Sequence, residues 1–119
     1  MPNIKSHSEG LSGTIREAGF KMPLSTEIEG TDIDGKPFRE HTVLSYISHN
    51  GASFRITNPV AEGTELRLSI QLPRKLADDR SLRLIIRGNV LFIETLNESD
   101  ERHRVSLRFK NQYIIEDKD

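Results

Sequence analysis

The sequence predicts an all-β fold, a six-stranded antiparallel β-barrel with a flexible N-terminal arm. Three observations lead there. Apolar residues recur at every second position in several runs, short turns bearing Gly or Pro separate the runs, and no stretch carries strong helical periodicity. Short links favour antiparallel pairing, and closure removes exposed strand edges. The strand–helix alternation of a dinucleotide-binding sheet is missing.

Composition sets the bounds. At 119 residues the chain supports one modest core. Apolar content is 34%, charged content 29% and formal net charge −1, so no global field recruits a nucleic-acid polymer or an acidic membrane. The absence of cysteine excludes disulfides, thiolate zinc sites and Cys nucleophiles. No apolar run approaches the roughly 18 residues of a membrane span, and Met1 to Gly13 lacks the apolar stretch of a secretory signal. A cytoplasmic protein without membrane insertion is expected.

The elements follow in order. Residues 1–19 are polar and Ser/Gly-rich, an arm in which Ser12 to Ala18 has room for one short helix that needs docking to persist. The barrel is expected over residues 20–112 and a polar tail over 113–119. After Pro23, Leu24, Thr26 and Ile28 share one face of a strand while Ser25, Glu27 and Glu29 share the other. Gly30 to Pro37 reads as a hairpin loop turning at Asp34-Gly35. The next strand, Phe38 to Ser48, has Val43, Ser45 and Ile47 on one face and Thr42, Leu44 and Tyr46 on the other, so it is expected to be covered on both sides or to lie centrally in the sheet.

Ala52 to Ile56 is a short strand broken by Asn58-Pro59, and Glu62-Gly63 turns the chain again. Leu66, Leu68, Ile70 and Leu72 then give the cleanest alternation in the chain, ended by Pro73. Arg74 to Ser81 is a charged loop. Leu82 to Ile93 is one long strand or two pieces joined at Gly88, which marks a bulge or bend. Glu94 to Arg102 is a polar loop, and the last strand, His103 to Phe109, has Val105, Leu107 and Phe109 in register.

One turn carries chemistry. In Tyr46-Ile47-Ser48-His49-Asn50-Gly51 a Ser precedes a Gly by three residues, where a strand stops and a tight turn begins. The Ser hydroxyl bonds local backbone, and Gly accepts backbone angles closed to side chains. Such a turn offers hydroxyl and amide donors at a barrel rim. The plain structural reading is a turn alone, with Tyr46 packed along its strand and His49 and Asn50 facing water.

The ordered set of features resembles a PilZ domain over roughly residues 20 to 110. It comprises Gly30-Thr31-Asp32-x-Asp34-Gly35-Lys36-Pro37-Phe38, Ser48-x-x-Gly51-Ala52, Val60-x-x-Gly63-Thr64-x-Leu66-x-Leu68 and Arg104-Val105-x-Leu107-x-Phe109. The resemblance implies a bacterial signalling barrel whose ligand is cyclic di-GMP, with bound protein partners and no cofactor. In the family, binding uses Arg-x-x-x-Arg just before the first strand and Asp/Asn-x-Ser-x-x-Gly at the second turn. Guanidiniums match phosphate oxygens and stack on purines, while the acidic or amide side chain accepts from a guanine edge.

This chain departs from both signatures. Ser48 and Gly51 match, but Tyr46 stands at the Asp/Asn position. With Lys21 in the second arginine's place, the first falls on Glu17, and Arg16 is one residue out of register. Losing the acceptor, the aligned arginine and one guanidinium stack removes about 4 to 6 kcal/mol, roughly a thousandfold or more in affinity.

The ligand-binding candidates are therefore Arg16, Lys21, Tyr46, Ser48, Gly51 and Arg55, the last pointing from its strand toward the rim. Their bland reading is solvated charge and turn chemistry. His7, His41, His49 and His103 show no metal-ligand spacing, Asp32 and Asp34 flank a turn without further calcium ligands, and no catalytic motif is present. Arg83, Arg87, Arg102, Arg104 and Arg108 are interspersed with Glu94, Glu98, Asp100 and Glu101, as on an ordinary mixed surface. Two non-enzymatic functions stay open: an adaptor acting through protein contacts with weak or absent cyclic di-GMP binding, and a receptor holding the dinucleotide between the arm and the Ser48–Gly51 turn.

Overall fold

The computed structural model describes residues 23–74, 79–95 and 101–117. Seven strands form it: β1 (Leu24–Thr31), β2 (Pro37–Leu44), β3 (Tyr46–Ile47), β4 (Gly51–Ile56), β5 (Glu65–Gln71), β6 (Leu82–Thr95) and β7 (His103–Asp117). They make one antiparallel sheet in the order β2-β1-β5-β6-β7-β4-β3, curled into a half-barrel, with no α-helix among the described residues. The all-β antiparallel class is thus the one the alternation predicts. The expected N-terminal arm and its short helix lie outside the described residues.

Alternation determines which side chains form the core. Leu24, Thr26 and Ile28 of β1 are buried, as are Leu66, Leu68 and Ile70 of β5 with Leu72 just beyond. Phe54 and Ile56 of β4, Leu84, Ile86 and Val90 of β6, and Val105 and Leu107 of β7 belong to the same interior. Phe54 and Leu68 are fully buried. Burying such a side chain is worth about 1.5–3 kcal/mol, and this shared apolar interior is what curls the sheet on itself. Thr26 sits in that core because its hydroxyl donates to the Leu24 carbonyl at 2.9 Å, which satisfies the polar atom.

The turns follow the local chemistry. Asp32 Oδ1 accepts from the amides of Asp34 (2.8 Å) and Lys36 (3.0 Å), and Gly35 takes a φ of 80° that a side chain would strain. Gly63, with φ 88°, turns the chain into β5. At Gly88 the β6–β7 register shifts, as the glycine predicts, and a second irregularity falls between Val90 and Phe92.

Two expectations about strands are corrected. The second predicted strand is two, because the chain bends at Ser45. The bend resets the alternation: Leu44 and Ile47, three positions apart, are both buried, while Val43 is 52% exposed. Only one face is therefore covered by core, where the sequence suggested two. The last strand, expected to stop at Phe109, runs to Asp117 and pairs Tyr113–Asp117 with Ile86–Leu82 of β6. The polar Lys110-Asn111-Gln112 hides this, since the ladder is held by the partner strand and not by alternation within β7.

The two ends of the sheet, β2 and the β3–β4 pair, meet through side chains. Thr42 Oγ1 donates to the Arg55 carbonyl at 2.7 Å. The Glu40 carboxylate accepts from the Thr57 amide (2.8 Å) and hydroxyl (3.0 Å) and from the Asn58 amide (3.1 Å) and Nδ2 (2.6 Å).

Candidate functional site

The Ser48–Gly51 turn is built by its own backbone. The Ser48 amide donates to the Gly51 carbonyl at 2.9 Å, and the Asn50 amide donates to Ser48 Oγ at 3.3 Å. The Asn50 carbonyl accepts from the Phe109 amide at 2.8 Å, tying the turn to β7. Gly51 is needed for a reason other than the one its turn position suggests. It does not adopt a positive φ. A Cβ there would collide with the Leu107 carbonyl oxygen, so close approach to β7 demands the glycine. His49 and Asn50 are exposed.

Tyr46 lies opposite Ser53 in the β3–β4 pair, at 37% exposure. Directly opposed residues share a face, so Tyr46 and Ser53 both look outward, and Arg55, two positions on, joins them. Across β4 and β7, Ser53 opposes Ser106 and Arg55 opposes Arg104. Two guanidiniums therefore face each other on neighbouring strands, an arrangement that repels unless an anion intervenes. Arg104 Nη1 finds one in Glu94 at 3.3 Å.

A groove of about 410 Å³ opens where β2 passes β4. Pro23 and β2 residues from Glu40 to Leu44 form one wall, with Ser45, while Arg55, Arg102 and Arg104 supply cations. Its carboxylate, Glu40, is occupied by Thr57 and Asn58. Partial burial pushes the Glu40 pKa up, and those hydrogen bonds outweigh it and hold it below the ordinary range. His41 Nε2 lies 3.1 Å from Ser25 Oγ at the same edge. Planar guanidiniums around a groove can hold a phosphate or carboxylate group.

The structure thus brings some predicted residues together and not others. Arg55 lines the groove. Tyr46 shares its outward face, whereas Ser48 and Gly51 lie at the far end of β4, roughly 13 Å from Arg55 by strand rise. Arg16 and Lys21 lie outside the described residues. Sequence reading treated Arg102 and Arg104 as mixed surface and passed over Glu40. The two-residue spacing of Arg102, just before the last strand, and Arg104 within it is the signal that would have grouped them with Arg55. Nothing in the sequence marks Glu40, whose partners lie seventeen and eighteen positions on. Among the described residues no three His, Asp or Glu side chains are grouped to hold a metal ion, and no helix is long and apolar enough to cross a membrane.

The described residues thus form a small curled antiparallel half-barrel with an arginine-bearing groove and a Ser-x-x-Gly turn. The family profile of the PilZ domain matches residues 15–118, and the chain belongs to that family. Its fold is similar to MotI/DgrA, the Bacillus subtilis inhibitor of motility, with a TM-score of 0.57 at 18% identity over 76% of this chain and 40% of that one. It is also similar to MrkH of K. pneumonia in its apo state, with a TM-score of 0.51 at 16% identity over 76% of this chain and 41% of that one. At such identities the likeness establishes the fold alone, and the chain spans about two fifths of each of these proteins. No curated protein matches the chain.

Proposed function

We propose that this PilZ domain is a non-enzymatic, cytoplasmic adaptor that acts through protein contacts, with cyclic di-GMP binding weak or absent. The observation that carries this reading is Tyr46. Where the family signature puts an acidic or amide acceptor for a guanine edge, this chain puts a phenol on an outward face beside Ser53. A phenol accepts hydrogen bonds poorly and fills the space a base edge would use. With Glu17 at the first arginine position and Lys21 at the second, two further contacts are weakened. The ledger of about 4 to 6 kcal/mol turns a micromolar site into a millimolar one. No cofactor, nucleic-acid polymer or membrane insertion enters this reading.

Titration calorimetry with cyclic di-GMP tests it. The expected result is no saturation at submillimolar messenger, and gained affinity in Tyr46→Asp combined with Glu17→Arg. Submillimolar binding weakened by Arg16→Ala or Lys21→Ala would overturn it. The groove cations Arg55, Arg102 and Arg104 favour a second reading, a receptor that clasps the dinucleotide between the N-terminal arm and the barrel. That reading predicts loss of binding in Arg55→Ala.

A further inference from the structure

The wall formed by β2, β1, β5, β6 and β7 carries a second feature. Two adjoining cavities, of about 800 and 570 Å³, share Glu65, Arg67 and Arg87 and run across β2, β1, β5, β6 and β7. Across five strands at about 4.8 Å spacing, the groove spans roughly 19 Å, the length of about six extended residues. Its charged lining is Arg39, Arg67, Arg87 and Lys110 against Glu29 and Glu65, four cations to two carboxylates. The chain as a whole has net charge −1, so this basicity is local.

All four cations are ion-paired. Glu29 bridges Arg39 at 3.0 Å and Arg67 at 3.3 Å, Glu65 bridges Lys110 at 2.8 Å and Arg87 at 3.7 Å, and Glu27, beside the groove, adds a 3.7 Å contact to Arg39. Arg39, Arg87 and Lys110 are more than half exposed in their side chains, and exposed pairs of this kind are weak and exchange partners readily. Arg67 and Arg87 stand directly opposite each other on β5 and β6, a like-charge pair that an added anion relieves. Beside them the Ser69 hydroxyl is buried opposite Ile85, with no hydrogen-bond partner among the described residues. One end of the groove is apolar: Ile85 and Ile114, the latter 59% exposed.

We infer that this groove docks an extended acidic segment of a partner protein, with carboxylates on Arg67 and Arg87 and one apolar side chain on the Ile114 shelf. The inference deepens the adaptor reading and rests on it. Length, cation excess and an apolar end are complementary to such a segment, whereas a compact anion would leave the shelf unused.

The test uses a fluorescein-labelled hexapeptide, Phe-Glu-Asp-Glu-Asp-Leu, and a counterpart with Lys at the four acidic positions. Fluorescence anisotropy is expected to show submillimolar, salt-sensitive binding of the acidic probe only. Arg67→Glu with Arg87→Glu should weaken it by about tenfold or more and create binding of the lysine probe. Ile114→Ser, an exposed change, should weaken it by a few fold. Should the double variant fail to fold, Arg87→Ser alone should still weaken binding of the acidic probe by a few fold, without creating binding of the lysine probe. Amide shifts are expected at Arg67, Arg87 and Ile114. Absence of saturation at millimolar probe, equal binding of the lysine probe, shifts centred on Arg55 and Arg104, or equal affinity for inorganic phosphate would each overturn the inference. Cyclic di-GMP titrated into the same sample keeps the two readings apart: tight messenger binding removes the adaptor reading and leaves the peptide result standing.

Discussion

Gly51 and Gly88 press on adjacent peptides of β7 from its two sides. A Cβ at Gly51 would collide with the Leu107 carbonyl oxygen, and one at Gly88 would lie 2.5 Å from the Arg108 carbonyl oxygen and 2.9 Å from the Leu107 side chain. The neighbours of β7 on both sides, β4 and β6, therefore approach it at positions where only glycine fits. The rim turn and the bulge of the long hairpin are fixed by one strand.

Gly51→Ala and Gly88→Ala are each expected to destabilise the fold by about 2–3 kcal/mol, because backbone atoms cannot yield as a flexible side chain would. Since both act on β7, the double variant should cost less than the sum of the two. Urea midpoints for the three proteins check this. Gly35→Ala, in open space with φ 80°, should cost only about 1 kcal/mol.

Glu40 makes the fold acid-sensitive. Its pKa is lowered in the folded protein, so its stabilisation is present above the ordinary glutamate value of 4.5 and is lost as pH falls through the lowered one. Glu40→Gln keeps the shape but loses the charge-assisted bonds. It should cost about 1–2 kcal/mol at neutral pH and flatten the acid limb of the stability profile. A variant whose acid limb matches the parent protein would show that other carboxylates govern it.

The opposed Arg55 and Arg104 predict a tolerant surface position. Arg55→Ser exchanges one exposed cation for a small polar group and should change stability by no more than about 0.5 kcal/mol. Thermal melts of the two proteins check this. The same variant is expected to abolish any messenger binding that the parent shows.

In the core, Phe54→Ala should cost about 3–5 kcal/mol, since the ring is fully buried and its site cannot collapse without moving β7. Loss of the cooperative unfolding transition would be the extreme form of this outcome.

The interior was readable without coordinates. Leu66, Leu68, Ile70 and Leu72 alternate in the sequence and are all buried, because period two forces a strand to divide its side chains between core and solvent. The Asp34-Gly35 turn and the Gly88 irregularity were legible for the same reason: each depends on a residue's own backbone freedom. Of the candidate site, the Ser48–Gly51 turn was visible as local chemistry.

Relations between distant strands were decided by the tertiary structure. The bend at Ser45 reverses the facing of Ile47, and the extension of β7 past Phe109 needs Leu82 to Ile86 as its template. Arg55 meets Arg104, and Arg67 meets Arg87, only through ladder register. Glu40 finds Thr57 and Asn58 only because the sheet curls. Periodicity is a property of neighbours along the chain, so it determines which side faces inward. Curvature and register arise from the sheet as a whole, and they determine which charges share a groove.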